Sequence, residues 1–126
     1  MELQIFKNVE LGSVRSTMIN GEPYFVGKDV AEILGYKDTS DAMRRHVDDE
    51  DKLTRCFTDS GQSREMYVIN ESGLYSLILS SKLPTAKRFK RWVTSEVLPA
   101  IRRHGLYAVD DMLNKSSSLW KANMRG

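Results

Sequence analysis

TMINGEPYFVGKDVAEILGYKDTSDAMRRHV, from Thr17 to Val47, changes its apolar period partway along and so decides the fold class. Two short apolar runs, Thr17-Met18-Ile19 and Tyr24-Phe25-Val26, flank Asn20-Gly21. Both turn residues tolerate the positive φ of a type I′ turn, so the run predicts a β-hairpin. Pro23 has no N–H to give a ladder, which predicts that the second strand starts late or lies at an edge. Beyond Val26 the apolar residues move to helical spacing. Asp29 is placed to cap a helix over Val30–Leu34 that Gly35 ends, and Thr39 or Ser40 to cap a second over Asp41–Val47.

Working outward, Leu3–Phe6 and Ser13–Ile19 are strand-like. The acids Asp48, Asp49, Glu50 and Asp51 predict a loop. Leu53–Phe57 and Glu65–Ile69 form a second hairpin around the turn-rich Asp59-Ser60-Gly61-Gln62-Ser63. Asn70 can cap a helix over Glu71–Ser80, whose Leu74, Leu77 and Ile78 share a face. This order predicts an α+β fold: two β-hairpins interleaved with two helical pairs, in a single small domain over residues 1–107. Residues 108–126 read as a linker or frayed tail, with Lys115–Ser118 linker-like.

The segment Lys82–Arg103, KLPTAKRFKRWVTSEVLPAIRR, holds seven lysines and arginines against one acid, Glu96. At about 100° per residue, Ala86, Phe89, Trp92, Val93, Val97 and Ala100 fall on one sector. Lys87, Arg88, Arg91 and Arg102 fall on the other. Pro84 suits the first helical turn and Gly105 the exit. Pro99, inside the pattern, predicts a kink or break near Ser95–Pro99. One face to bury and one face charged suit a helix that docks on a core and meets a polyanion. A solvated amphipathic helix gives the same pattern.

Charge is unevenly distributed. The chain's 126 residues carry a net charge of only +2, but Lys82–Arg103 sums to +6 and Lys28–Asp51 to −4. An acidic and a basic pole follow. The single cysteine, Cys56, excludes an internal disulfide and fits a reducing cytosol, hence a cytoplasmic setting. No apolar run approaches the roughly 20 residues that span a bilayer, and the N-terminus lacks a signal-peptide pattern.

Catalytic and metal chemistry find little support. His46, Cys56 and His104 are too few and too scattered for a zinc site, no glycine-rich phosphate loop occurs, and no cofactor is implied. A Cys56–His46 nucleophile pair is formally open, but Cys56 in a strand reads as a small core residue. Trp92 and Tyr75 also read as core. No enzyme is expected.

Binding readings are stronger. DVAEILGYKDTSDAMRRHV fits a helix-turn-helix in which Ala31, Ile33 and Leu34 pack on Ala42, Met43 and Val47. Arg44 and Arg45 then project from the second helix toward base edges. An αα-hairpin with two solvated arginines fits equally. The Asp59–Ser63 loop, with Arg55 and Arg64 at its base, could enter a groove as a β-ribbon, although an ordinary surface hairpin is the commoner use of such a sequence.

One resemblance draws these pieces together. Pro23-Tyr24-Phe25-Val26 leading to Lys28-Asp29-Val30-Ala31, then Leu34-Gly35-Tyr36, Asp41 through Val47 and Ile69 through Tyr75 resemble the N-terminal domain of BRO proteins. So do Ser81–Pro84, Ala86-Lys87 and Phe89 through Ile101, ending at Gly105. That domain occurs in baculovirus BRO proteins and in the antirepressors of tailed phages. The resemblance covers roughly residues 3–107 and rests on several motifs in order. It implies a DNA-binding domain and, in phage members, an antirepressor with a further C-terminal domain. The expected partner is double-stranded DNA, with Lys87, Arg88, Arg91, Arg102 and Arg103 on phosphates and Arg44, Arg45, Arg55 and Arg64 on bases. The runner-up is a protein-interaction module that docks on a phage repressor or on a second copy of the chain.

Overall fold

The computed structural model describes residues 3–103, apart from Ser60 and the side chain of Asp59. Expectations concerning His104, Gly105, Lys115–Ser118 and the boundary at residue 107 lie outside the described residues.

The chain begins with three strands: β1 (Gln4–Asn8), β2 (Gly12–Ile19) and β3 (Glu22–Val26). Asn20 (φ 52°) and Gly21 (φ 81°) make the tight turn that their side chains favour. Helices α1 (Gly27–Ile33) and α2 (Thr39–His46) follow, then a 3₁₀ turn at Asp49–Asp51 where a loop was expected. The second hairpin, β4 (Lys52–Asp59) and β5 (Gln62–Ile69), leads to α3 (Glu71–Ser80) and α4 (Thr85–Trp92). All five strands join one antiparallel sheet in the order β1-β2-β3-β5-β4. The expected α+β class holds, with β1 enlarging the first hairpin to a three-stranded meander.

The two halves of the sheet meet along a short seam. β3 pairs with β5 only at Phe25↔Ile69 and Val26↔Val68. Pro23 therefore lies in an inner strand, but at a point where β3 has no second neighbour. Beyond Val26 the chain turns directly into α1, which fills the gap the sheet leaves.

One face of the sheet carries the main core. Val14, Phe25 and Ile69 meet Val30, Ala31, Leu34, Ala42, Met43, Leu74, Leu77, Phe89, Val93, Leu98 and Ile101 from the helices. The opposite face holds a smaller cluster of Ile19, Tyr24, Val26, Phe57 and Val68. Trp92 is buried as expected, whereas Tyr75 is only half-buried at the rim.

Local signals are honoured with three corrections. Asn70 caps α3, its Oδ1 accepting from Gly73 N at 2.9 Å. For α2 the cap is Asp38, accepting from Asp41 N at 3.0 Å, not Thr39 or Ser40. Asp29 does not cap; it sits in the first turn of α1, and its carboxylate accepts from Arg15 N, Nε and Nη2 at 2.9, 2.8 and 2.9 Å. Cys56 lies in β4 as expected but is exposed, not core.

The basic segment is not broken at Pro99. It continues from α4 through a π-helical turn, Val93–Val97, into helix over 98–103. Thr94 Oγ1 and Ser95 Oγ donate to the carbonyls of Lys90 and Arg91 (2.9 and 2.6 Å), occupying acceptors in the widened stretch. A π turn takes in one extra residue, which rotates everything beyond it by about 100°. Leu98 and Ile101 are consequently buried, at 1% exposure each, and Ala100 is only half-buried. Projected as plain α-helix, Ala100 would be inside and Leu98 outside.

Candidate nucleic-acid interface

α4 is held by Ala86, Phe89 and Trp92, all buried, with the Phe89 and Trp92 rings 6.1 Å apart and tilted. Anchoring these residues forces Lys87, Lys90 and Arg91 outward, and all three are exposed. Among the described residues no carboxylate lies within ion-pairing distance of Lys87, Lys90, Arg91 or Arg103. Arg88, also exposed, pairs with Glu10 of the β1–β2 turn at 3.0 Å. Both partners are more than half exposed, so the pair is weak and open to competition from another anion. Arg102, rotated by the π turn, leaves the Lys87–Arg91 side and pairs with Glu71 of α3 at 2.8 Å. Lys90 was not among the expected contacts. Its place in the run was legible, since it lies between the charged sector and the buried one.

The acidic pole does not neutralise this surface. Asp51 Oδ1 accepts from Asn70 Nδ2 at 3.3 Å, and Asp49 lies 3.5 Å from Lys52 Nζ. Lys52 had no expected role. Its ammonium donates to the carbonyls of Met43 and Val47, both at 2.9 Å, closing the C-terminal end of α2.

α1 and α2 do form the expected helix pair. Ala31, Leu34, Ala42, Met43 and Val47 are buried in one core, and Ile33 packs at its margin. Gly35 (φ 85°) permits the exit from α1, with Tyr36 N bonding Ala31 O and Gly35 N bonding Glu32 O. Tyr36 Oη donates to Leu77 O at 2.8 Å, fixing the turn to α3. Arg44 and Arg45 project to solvent from the last turn of α2. Both approach Asp41, each at 3.4 Å.

The expected contacts do not converge on one spot. The helical stretch from the end of α4 onward reaches β1: Phe6 and Lys7 line a groove with Trp92, Ser95 and Arg103. α2 lies toward β4, through Lys52, and α3 packs against both α2 and α4. Four strand spacings, about 19 Å, separate the two edges. Arg55 and Arg64 sit apart from both, on the β4–β5 hairpin. Where the sheet splits, a cleft of about 450 Å³ opens between Arg15, Lys28, the start of α2 and the β5 residues Arg64–Tyr67.

His46 packs against Tyr36 with the rings tilted and their centres 5.5 Å apart, and among the described residues no hydrogen bond joins it to Cys56. Among the same residues no three His, Cys, Asp or Glu side chains cluster as a metal site would need, and no helix is long and apolar enough to cross a membrane.

Residues 13–99 match the family model described as the BRO family, N-terminal domain. The chain is 42% identical over 113 residues to a putative Bro-N domain-containing protein of Invertebrate iridescent virus 6, covering 75% of this chain and 27% of that protein. An uncharacterized protein of Haemophilus influenzae is 41% identical over 87 residues, covering 69% of this chain and 43% of the relative. An uncharacterized Bro-N domain-containing protein of Autographa californica nuclear polyhedrosis virus is 32% identical over 99 residues, with 66% and 30% covered. The chain thus spans less than half the length of each of these relatives. No solved structure matches it.

Proposed function

The chain belongs to the BRO family, of which it carries the N-terminal domain, and from that premise we propose that it is the DNA-binding domain of an antirepressor-type transcriptional regulator. The observation that carries the reading is the outer side of α4. Among the described residues Lys87, Lys90 and Arg91 meet solvent with no acid paired to them, while Phe89 and Trp92 fix the same helix to the core. Such a surface neutralises phosphates and releases their condensed counterions. Arg88 and Arg103 flank it. Arg102 is committed to Glu71 and contributes less. Because α2 lies over the far edge of the sheet, a duplex reaches Arg44 and Arg45 as well only by lying across the helical layer. α4 is therefore assigned the primary contact and α2 a secondary one.

A band-shift assay with random-sequence duplex tests this. The wild-type chain should retard the duplex at low salt, and Lys87→Glu/Arg88→Glu/Arg91→Glu should not, with its melting temperature preserved. Absence of any shift, together with co-purification of a repressor, would reject DNA contact in favour of a repressor-binding module.

A further inference from the structure

The β4–β5 hairpin outgrows the sheet it belongs to. β5 has β3 beside it only at Val68 and Ile69, and β4 is an edge strand. From Thr54↔Tyr67 to Asp59↔Gln62 the hairpin is a two-stranded ribbon about 20 Å long, with no strand on either side among the described residues. Gln62, Ser63, Arg64 and Glu65 are all exposed, as are Thr54, Cys56 and Thr58. An isolated hairpin is marginal in water. This one is tethered partway along by Phe57, which lies opposite Arg64 and is buried in one cluster with Tyr24, Val26 and Val68.

Alternation sorts the ribbon into two unlike faces. Arg55 opposes Met66 and Arg64 opposes Phe57, so both arginines share one face as diagonal neighbours, about 7–8 Å apart at the backbone. Between Leu53 and Phe57 on β4, and Arg64 and Val68 on β5, that face carries no carboxylate; Asp59, at the register of Gln62, is its next position toward the tip. Glu65 opposes Cys56 on the other face. Arg64 makes no ion pair among the described residues, and Arg55 donates only to the carbonyl of Thr54, at 3.0 Å.

We propose that this ribbon enters the major groove of duplex DNA and reads bases through Arg55 and Arg64. The inference rests on the DNA-binding reading and names the element that carries sequence information. The major groove, about 12 Å wide, admits a two-stranded ribbon, and arginine is suited to the paired acceptors of guanine. A 7–8 Å separation matches base pairs about two steps apart, at 3.4 Å per step. Base contacts of this kind carry the sequence information, whereas phosphate contacts only position a protein on the duplex.

Two measurements on the full chain test it. In duplexes selected by the wild-type chain from a random pool a guanine preference should appear, and Arg55→Gln/Arg64→Gln should lose it with thermal stability retained. Separately, Gln62→Cys in a Cys56→Ser background, alkylated with an azidophenacyl group, should photo-crosslink to bound duplex. Glu22→Cys in the same background, at the other end of the sheet, should not. A retarded duplex with no adduct at residue 62, or with the same base preference in the arginine variant, overturns groove entry and leaves the α4 reading standing. A wild-type chain that retards no duplex overturns both.

Discussion

Gly35 combines two constraints at one residue. Its φ of 85° lies where a side chain costs about 1–2 kcal/mol, and a Cβ there would run into Leu83. Gly35→Ala should lose at least that much in urea denaturation. Its neighbour Tyr36 buries a hydroxyl on Leu77 O, so Tyr36→Phe should cost about 0.5–1.5 kcal/mol at neutral pH. Burial raises the Tyr36 phenol above its ordinary value of 10.0, against a smaller lowering by a hydrogen bond with Ser80. Burial and the Glu71 carboxylate raise Tyr75 likewise, with Arg102 opposing. A folded-state pKa above the unfolded one gives stability that is complete below pH 10 and lost as pH rises through the folded value. Stability should therefore fall above pH 10, and less steeply in Tyr36→Phe. Some residues were legible because their partners are close in sequence: Asn20-Gly21 makes its own turn, and Asn70 caps three residues ahead. Asp29 was not, because Arg15 claims it from fourteen residues away. Asp38, Thr39 and Ser40 are all good caps, and propensity alone does not choose among three in a row.

At the scale of elements, the basic helix shows why a period can be right and its extrapolation wrong. Pro99 announces a disturbance, but sequence does not say whether the helix breaks, bends or widens. It widens, and the extra residue moves Leu98 inside and turns Arg102 toward α3. Leu98→Ala should then cost about 2–5 kcal/mol, a core value, where an uninterrupted helix would make it nearly neutral. Trp92→Ala should cost about 3–5 kcal/mol. Chemical denaturation of both variants checks the π turn as well as the burial. Cys56 teaches the same lesson for strands. Alternation assigns it to a face, but not whether anything covers that face, and the ribbon has left the sheet by then.

Across the whole molecule, the uneven charge seen in sequence becomes a basic outer side on α4 and an acidic 3₁₀ turn at the start of β4. Composition showed the poles, and the strand order that separates them was beyond its reach. Lys87→Glu/Arg91→Glu should weaken duplex binding and flatten its salt slope by about 2, leaving the unfolding midpoint unchanged, as titrations at several ionic strengths can show. The narrow join between β3 and β5 sets an order of events in time. Each hairpin closes over a few residues, on the order of 1–10 μs, whereas joining them requires distant parts of the chain to meet. In a pulse-labelled exchange experiment during refolding, amides within β1–β2 and β4–β5 should gain protection before those of Val26 and Val68. The molecule would assemble as two prefabricated pieces whose last stitch is two residue pairs wide, and slow opening of the native state would begin at that stitch.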